Sequence, residues 1–420
     1  MPSTWVCSVA PEAASRRAAA RNAAPGRGRR PARLAAWPRL LWLALALLAA
    51  PAFAAAPRIG VATMQPGEIF WERFGHNALV VLDPGSGQAV SYNFGFFDPG
   101  EPDFVARFVR GDMRYRLAAL PLEQDLVQYR DEGRGVAIQW LDLDEAQARG
   151  LAAALAENAK PDNAFYGYQY FDDNCSTRVR DALDRALGGG LRRQLEGRSH
   201  GSTYRSEAVR LASPAPWMWL GFDLGLGPAA DRPLPLWSEA FVPMRLAAAL
   251  RESRNGEGRP LVAAEQDVLP HRLPPEPRDW PVRWSAWLLA GLALGLGAAW
   301  LGARRPRVVA GLALPFWSLA GVAGALMLFI WFGTEHRYGW ANRNLLLLSP
   351  LCWLALPGGW TMLRGRAPGP WFGRMLGLVA AVAALSLFFY WLPIYPQRNA
   401  HWIALLLPLH VGLWLGLRRR

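Results

Sequence analysis

Lysine is nearly missing from this sequence: Lys160 is the only one, so the formal net charge of +13 rests on arginine. Many of those arginines sit in the first 40 residues or beside apolar runs, and no basic stripe interleaved with aromatics stands out, which argues against nucleic acid as a partner. Cysteine is scarce too, with three in 420 residues. The six histidines are scattered, and neither a His-x-x-x-His pair nor a Glu-bearing zinc helix occurs, so no metal and no other cofactor is expected. A phosphate-binding glycine loop is also lacking: "GLALGLGAAWLG" (291–302) reads as a membrane span and "LGGGLRR" (187–193) as a helix stop. From about 57 to 280, no apolar run is long enough to cross a bilayer.

What is abundant is apolar and aromatic. Hydrophobic residues make up 52% of the chain, and they and the 21 Trp concentrate in its last third, the mark of a membrane protein. Five apolar spans are expected there, at about 284–302, 308–333, 345–363, 375–393 and 402–417. At the other end, residues 1–39 are Ala/Arg/Pro-rich, and "LLWLALALLAAPAFAAAP" then supplies a signal peptide cleaved near Ala54 to Ala56, or an uncleaved anchor. Either delivers the chain from about 57 onward to the outside of the cytoplasmic membrane. The expected division is a leader over 1–56, an exported domain over 57–270, a Pro-rich linker over 271–282 and a transmembrane domain over 283–420. Five crossings leave the C-terminus in the cytoplasm, together with the Arg-dense "ARRPR", "RGRAPGPWFGR" and "RRR". A weak repeat relates 328–351 to 387–410, and both copies carry Arg and Asn to the outward surface. Arg337, Arg343 and Arg398 in those loops are candidate lipid-headgroup contacts.

In the exported domain, "HNALVVLD" (76–83) and "AVSYNFGFF" (89–97) read as two strands joined by a turn, and "RGVAIQWLDL" (134–143) as a third. Residues 122–133 and 144–160 have helical spacing. "CSTRVRDALDRALGGG" puts Cys175, Val179, Leu183 and Leu187 on one helical stripe, with Cys175 in the first turn and Asn174 or Asp173 as the cap.

Cys175 has no disulfide partner: Cys7 lies in the leader and Cys352 in a membrane span. One reading is a small apolar residue on a buried stripe. Against it stands the helix start, where orphan N–H groups and the dipole favour a thiolate. A thiolate nucleophile needs an imidazole partner and a polar group to orient it. Of the three exported histidines, His200 and His271 fall in polar or Pro-rich surface stretches, whereas His76 opens a strand. Cys175 and His76 are therefore the candidate nucleophile and base.

A histidine-first strand, a second strand and a much later "NC" helix resemble the permuted, papain-like NlpC-type order. More closely, "FGHNALVV", "YNFGFFDP", "FVRGDMRYRL", "FYGYQYFDDNCSTRVRDAL", "GSTYRS" and "RPLPLWSEAFVPMRL" together resemble the Lnb N-terminal periplasmic domain family, and the tail with "NRNLLLLSPL" an Lnb-type transmembrane domain. The likeness covers about 57–418. It implies an α+β permuted papain-like (NlpC-type) exported domain followed by an all-α five-helix transmembrane domain in the bacterial inner membrane. The implied activity is a lipoprotein N-acyltransferase, with a membrane phospholipid as acyl donor and the terminal amine of a lipoprotein as acceptor. The third catalytic residue implied is Asn93, or Tyr92 if the strand register differs. Supporting roles fall to Asn174, Asp173 and Arg178 around the thiol, and by resemblance to Arg114, Tyr204 and Arg205. A cell-wall peptidase or amidase, a phospholipase or thioesterase, and a non-catalytic sensor are the alternatives.

Overall fold

In the computed structural model of the chain, residues 55–278 and 283–418 are described. The expected leader lies outside the described residues except for its last two, as do the end of the linker and the final two arginines.

The exported region is an α+β domain around one antiparallel sheet. Its strands are β1 (Arg58–Met64), β2 (His76–Leu82), β3 (Ala89–Phe96), β4 (Met113–Pro121), β5 (Val136–Leu141), β6 (Phe165–Tyr168) and β7 (Val262–Leu269). They stand in the order β6-β4-β3-β2-β1-β5-β7. Because side chains alternate along a strand, each strand serves two cores. Ile59, Val61, Leu79, Tyr92, Phe94 and Leu117 pack against the helices Glu145–Asn158, Cys175–Ala186 and Pro243–Glu252. Ala62, Met64, Ala78, Val80, Val136 and Ile138 pack on the opposite face against Leu126 and Tyr129 of the helix Leu122–Glu132. The strands and helices expected at 76–83, 89–97, 134–143, 122–133 and 144–160 are all present; β1, β4, β6 and β7 complete the sheet.

Five apolar segments follow: Trp284–Arg304, Pro306–Gly333, Arg343–Leu363, Trp371–Trp391 and Ala400–Leu417. The third departs from a continuous α-helix. It runs as short 3-10 turns over Arg343–Leu346 and Pro350–Ala355 before an α-helix over Leu356–Leu363. Pro350 and Pro357 each remove a backbone donor, and the irregular stretch is tolerated because Leu347, Leu348, Cys352 and Ala355 bury it inside the bundle. The first and fifth spans touch backbone to backbone: a Cβ on Gly412 would lie 2.0 Å from the Gly295 carbonyl oxygen, so only glycine fits this seam.

The two regions are joined by buried polar contacts. Asn342 and Asn344 donate to the Leu224 carbonyl at 2.6 and 3.1 Å. Asp223 accepts from His401 at 2.7 Å and from Trp402 at 2.8 Å. The weak sequence repeat becomes a physical pairing here: Gln397 donates to Asn342 at 2.9 Å and Asn399 to Asn344 at 2.8 Å, each across 55 residues of chain.

Candidate active site

Cys175 is the first residue of the helix Cys175–Ala186, and Asn174 is its cap. The Asn174 side chain accepts from the Thr177 N–H, and the Thr177 hydroxyl accepts from the Asn174 N–H at 2.8 Å, a reciprocal box that fixes where the helix starts. The Asn174 amide also donates to Tyr170 and Phe241 carbonyls at 3.0 and 2.9 Å, tying that start to two loops. Asp173, the other candidate cap, instead pairs with Arg178, whose guanidinium lies 4.0 Å over the Tyr166 ring. Val179 and Leu183 are fully buried below, so the stripe anchors the helix and its first turn reaches the sheet's end.

His76 enters β2 directly after Gly75, whose φ of +73° lies in the left-handed region. A side chain at Gly75 would also meet the Met64 carbonyl oxygen at 2.7 Å, so the sharp turn into the strand depends on glycine. His76 Nε2 lies 3.0 Å from Asn93 Oδ1. The Asn93 amide nitrogen donates to Ser91 Oγ and to Asp125 Oδ2, both at 2.9 Å, and Ser91 Oγ donates to the same carboxylate oxygen at 2.6 Å. A carboxylate only accepts, so the NH2 of Asn93 faces Asp125 and its oxygen faces the imidazole. Nε2 then carries the proton, which leaves Nδ1 for the thiol.

Cys175 and His76 are electrostatic neighbours, and each is the strongest influence favouring the other's charged form. Burial alone pushes the Cys175 thiol up; the charge of His76, its hydrogen bond and the Asn77 and Ser176 N–H groups outweigh burial and lower it. For His76 burial disfavours the cation, but the charge of Cys175, their hydrogen bond, Asp125 and Asn93 outweigh it and raise the imidazole. Both shifts favour a thiolate beside an imidazolium.

Asn93 thus bonds the imidazole, and Tyr92 does not: one residue away, its ring faces the other side of β3 and joins the core with Leu79 and Phe94. Arg114 is not brought to the thiol. It is exposed on β4 with its guanidinium 4.4 Å from the Phe165 ring, while Tyr166 and Tyr168, one residue to either side of Arg114's partner Gly167, take the opposite face. Arg205 is buried in a different role, paired with Asp231 at 2.9 Å and donating to the carbonyls of Asp223 and Leu226. Tyr204 lies nearer: it donates to Asp172 at 3.2 Å, three residues before the cysteine.

Of the outward-loop arginines, Arg337 pairs with Asp172, and Arg343 donates to the Phe389 and Ile394 carbonyls at 2.6 and 2.5 Å. Neither side chain is a free headgroup ligand; the Arg398 side chain is exposed. Among the described residues no group of three or more His, Cys, Asp or Glu side chains converges as a metal site would.

Sequence reasoning missed Ser91, Asp125, Asp172 and Tyr338. Asp125 carried a signal: it falls on the apolar stripe Leu122, Leu126, Tyr129 of its helix, where an acid requires a buried partner. Tyr338 donates to Asp172 at 2.6 Å, fastening the approach to Cys175 onto the loop after the second span.

Residues 54–208 match the Lnb N-terminal periplasmic domain model, and residues 281–417 match the Lnb transmembrane domain model. No curated protein and no solved structure matches the chain.

Proposed function

We propose, from the premise that the chain belongs to the family defined by these Lnb periplasmic and transmembrane domains, that it is a thiol acyltransferase of the inner membrane. It moves an acyl chain from a phospholipid, through a thioester on Cys175, to the N-terminal amine of a lipoprotein. The observation that carries this reading is Asp172. Bound by Tyr338 and Arg337 of an outward membrane loop, it holds the nucleophile at the membrane end of the exported domain. A cell-wall peptidase would draw no use from that placement, whereas both substrates of an acyl transfer are held in the leaflet.

In the first half-reaction the Cys175 thiolate attacks the ester carbonyl and a C–S bond forms. The nearby Asn77 and Ser176 N–H groups supply charge stabilisation at the reacting centre. The C–O bond then breaks, and imidazolium His76 gives its proton to the departing lysophospholipid. In the second, the lipoprotein amine attacks the thioester, His76 accepts its proton, a C–N bond forms and the thiolate leaves. Asn93 holds the imidazole plane throughout, with Asp125 behind it. Exposed Arg398 is the remaining candidate for a headgroup phosphate. The C-terminus lies in the cytoplasm: five spans separate it from the exported domain, and the Arg-dense connections fall on the far side from the loops that touch that domain.

Incubation of the full chain with acyl-labelled phospholipid tests the scheme. Hydroxylamine-sensitive label on Cys175, absent from Cys175→Ser and discharged by a lipoprotein amine, is expected. Discharge to water alone would make the protein a hydrolase, and no label on the wild type would remove both lipid readings.

A further inference from the structure

The exported domain exposes more apolar surface than its fold uses. The helix Phe104–Arg110 buries none of its residues; Val105 is 70% exposed, and Phe108 and Val109 are exposed beside it. Phe70 and Trp71, in the turn before β2, are exposed as well, and so is Trp217 at 67%. These side chains are contiguous. Phe70 meets Trp71 at 4.7 Å and Trp217 at 6.4 Å, and Trp71 reaches the helix through Phe97, which lies 6.1 Å from it and 5.6 Å from Phe104. Soluble domains seldom leave such a patch open to water.

Both ends of the patch are fixed to the membrane domain. At one end the Arg110 carbonyl accepts from the Glu335 N–H at 2.7 Å, and the Phe108 carbonyl lies 3.1 Å from His336 Nε2. Glu335 and His336 are the second and third residues after Gly333, where the second span ends. At the other end, the helix Pro216–Gly225 begins beside Trp217 and ends with Leu224 packed on the membrane domain's core. That helix is only about 14 Å long at 1.5 Å per residue, so Trp217 cannot stand far above the bundle. The height of the patch is therefore that of the headgroup layer, where Trp and Phe side chains are favoured. Arg110 in the last turn of the Phe104–Arg110 helix adds positive charge that suits anionic headgroups, while Arg107 beside it pairs with Asp112 at 3.7 Å.

We propose that this edge of the exported domain, centred on Val105, Phe108, Phe70, Trp71 and Trp217, is inserted in the outer leaflet of the membrane its spans cross, with phospholipid as its partner. The inference does not depend on acyl transfer at Cys175. To test it, the full chain with Cys7→Ser and Cys175→Ser is given Val105→Cys, labelled with an environment-sensitive fluorophore and placed in nanodiscs of phosphatidylethanolamine and phosphatidylglycerol. Ser86→Cys, in the exposed turn at the far end of β2, is the control. Blue-shifted emission at 105, quenched about twofold or more beyond the control by lipid carrying a nitroxide near the top of the acyl chain, is expected. Trp217→Cys should behave likewise. Emission and quenching equal to the control at both positions would overturn the proposal. So would a blue shift without lipid quenching, which would mean that protein covers the patch.

Discussion

At the residue scale the informative group is an acid that never touches the sulfur. Asp125 accepts from both Asn93 and Ser91, and because it can only accept, it dictates which end of the Asn93 amide meets His76. Asp125→Asn keeps the shape and removes that constraint. A hydrogen bond to a charged group contributes about 1.5–3 kcal/mol, so acylation should slow roughly 10- to 100-fold with thermal unfolding little changed. A slowing matched by an equal loss of folded protein would reduce Asp125 to a packing residue. The paired shifts of Cys175 and His76 also set a pH window. Lowering the pH protonates the thiolate only below the ordinary thiol range, and raising it strips the imidazolium only above the ordinary histidine range. Alkylation of Cys175 by iodoacetamide should therefore hold its rate as the pH falls through about 8.5, the free-thiol value. In His76→Ala the inflection should move upward, since burial then acts on the thiol without its partner; an unmoved inflection would dissolve the dyad.

Among the elements, an environment that repeats along the chain leaves a signature, although the alternation of buried Met113, Tyr115 and Leu117 with exposed Arg114 and Arg116 in β4 went unread. Strands β2 and β3 showed apolar runs bounded by turn residues, and the cysteine helix showed its stripe and its cap. Four-residue β6 has no room for a period, and β7 is an edge strand whose Ala264, Glu265, Gln266 and Asp267 face solvent, so neither offered an alternation to read. Hydropathy located all five spans but measures composition, not helical continuity, and the 3-10 break before Leu356 followed from prolines it does not weigh. The choice between Asn93 and Tyr92 waited on register, because one residue along a strand is the other face of the sheet. Packing of the spans yields its own prediction at the Gly295–Gly412 seam. Gly412→Val adds a three-carbon isopropyl group where backbone already stands against backbone. It should cost at least the roughly 1–3 kcal/mol typical of overpacking and lower the melting temperature in detergent; an unchanged melting point would mean that the seam is looser than described.

For the whole molecule, the arginines mark the limit of reading by type. Arg337 and Arg343, read from the sequence as headgroup contacts in outward loops, are used by the chain to bind itself, through Asp172 and through two carbonyls. No local pattern shows a partner 165 residues away. Asp172→Asn should loosen the thiol's approach from the membrane loop while sparing the dyad: acylation from bilayer phospholipid should fall about tenfold, with alkylation of Cys175 by a soluble reagent unchanged. Equal losses in both assays would show that the loop supports the dyad itself. The paired amides at the domain junction also set an order of events in biosynthesis. Asn344 donates to Leu224 and accepts from Asn399, and Gln397 donates to Asn342, so this buried set is completed only by residues made after the fourth span. An exported domain that is threaded out first must wait, incompletely seated, until the loop before the fifth span arrives; a chain truncated before that loop leaves Cys175 without its finished platform, and synthesis to the fifth span becomes the condition for seating that residue.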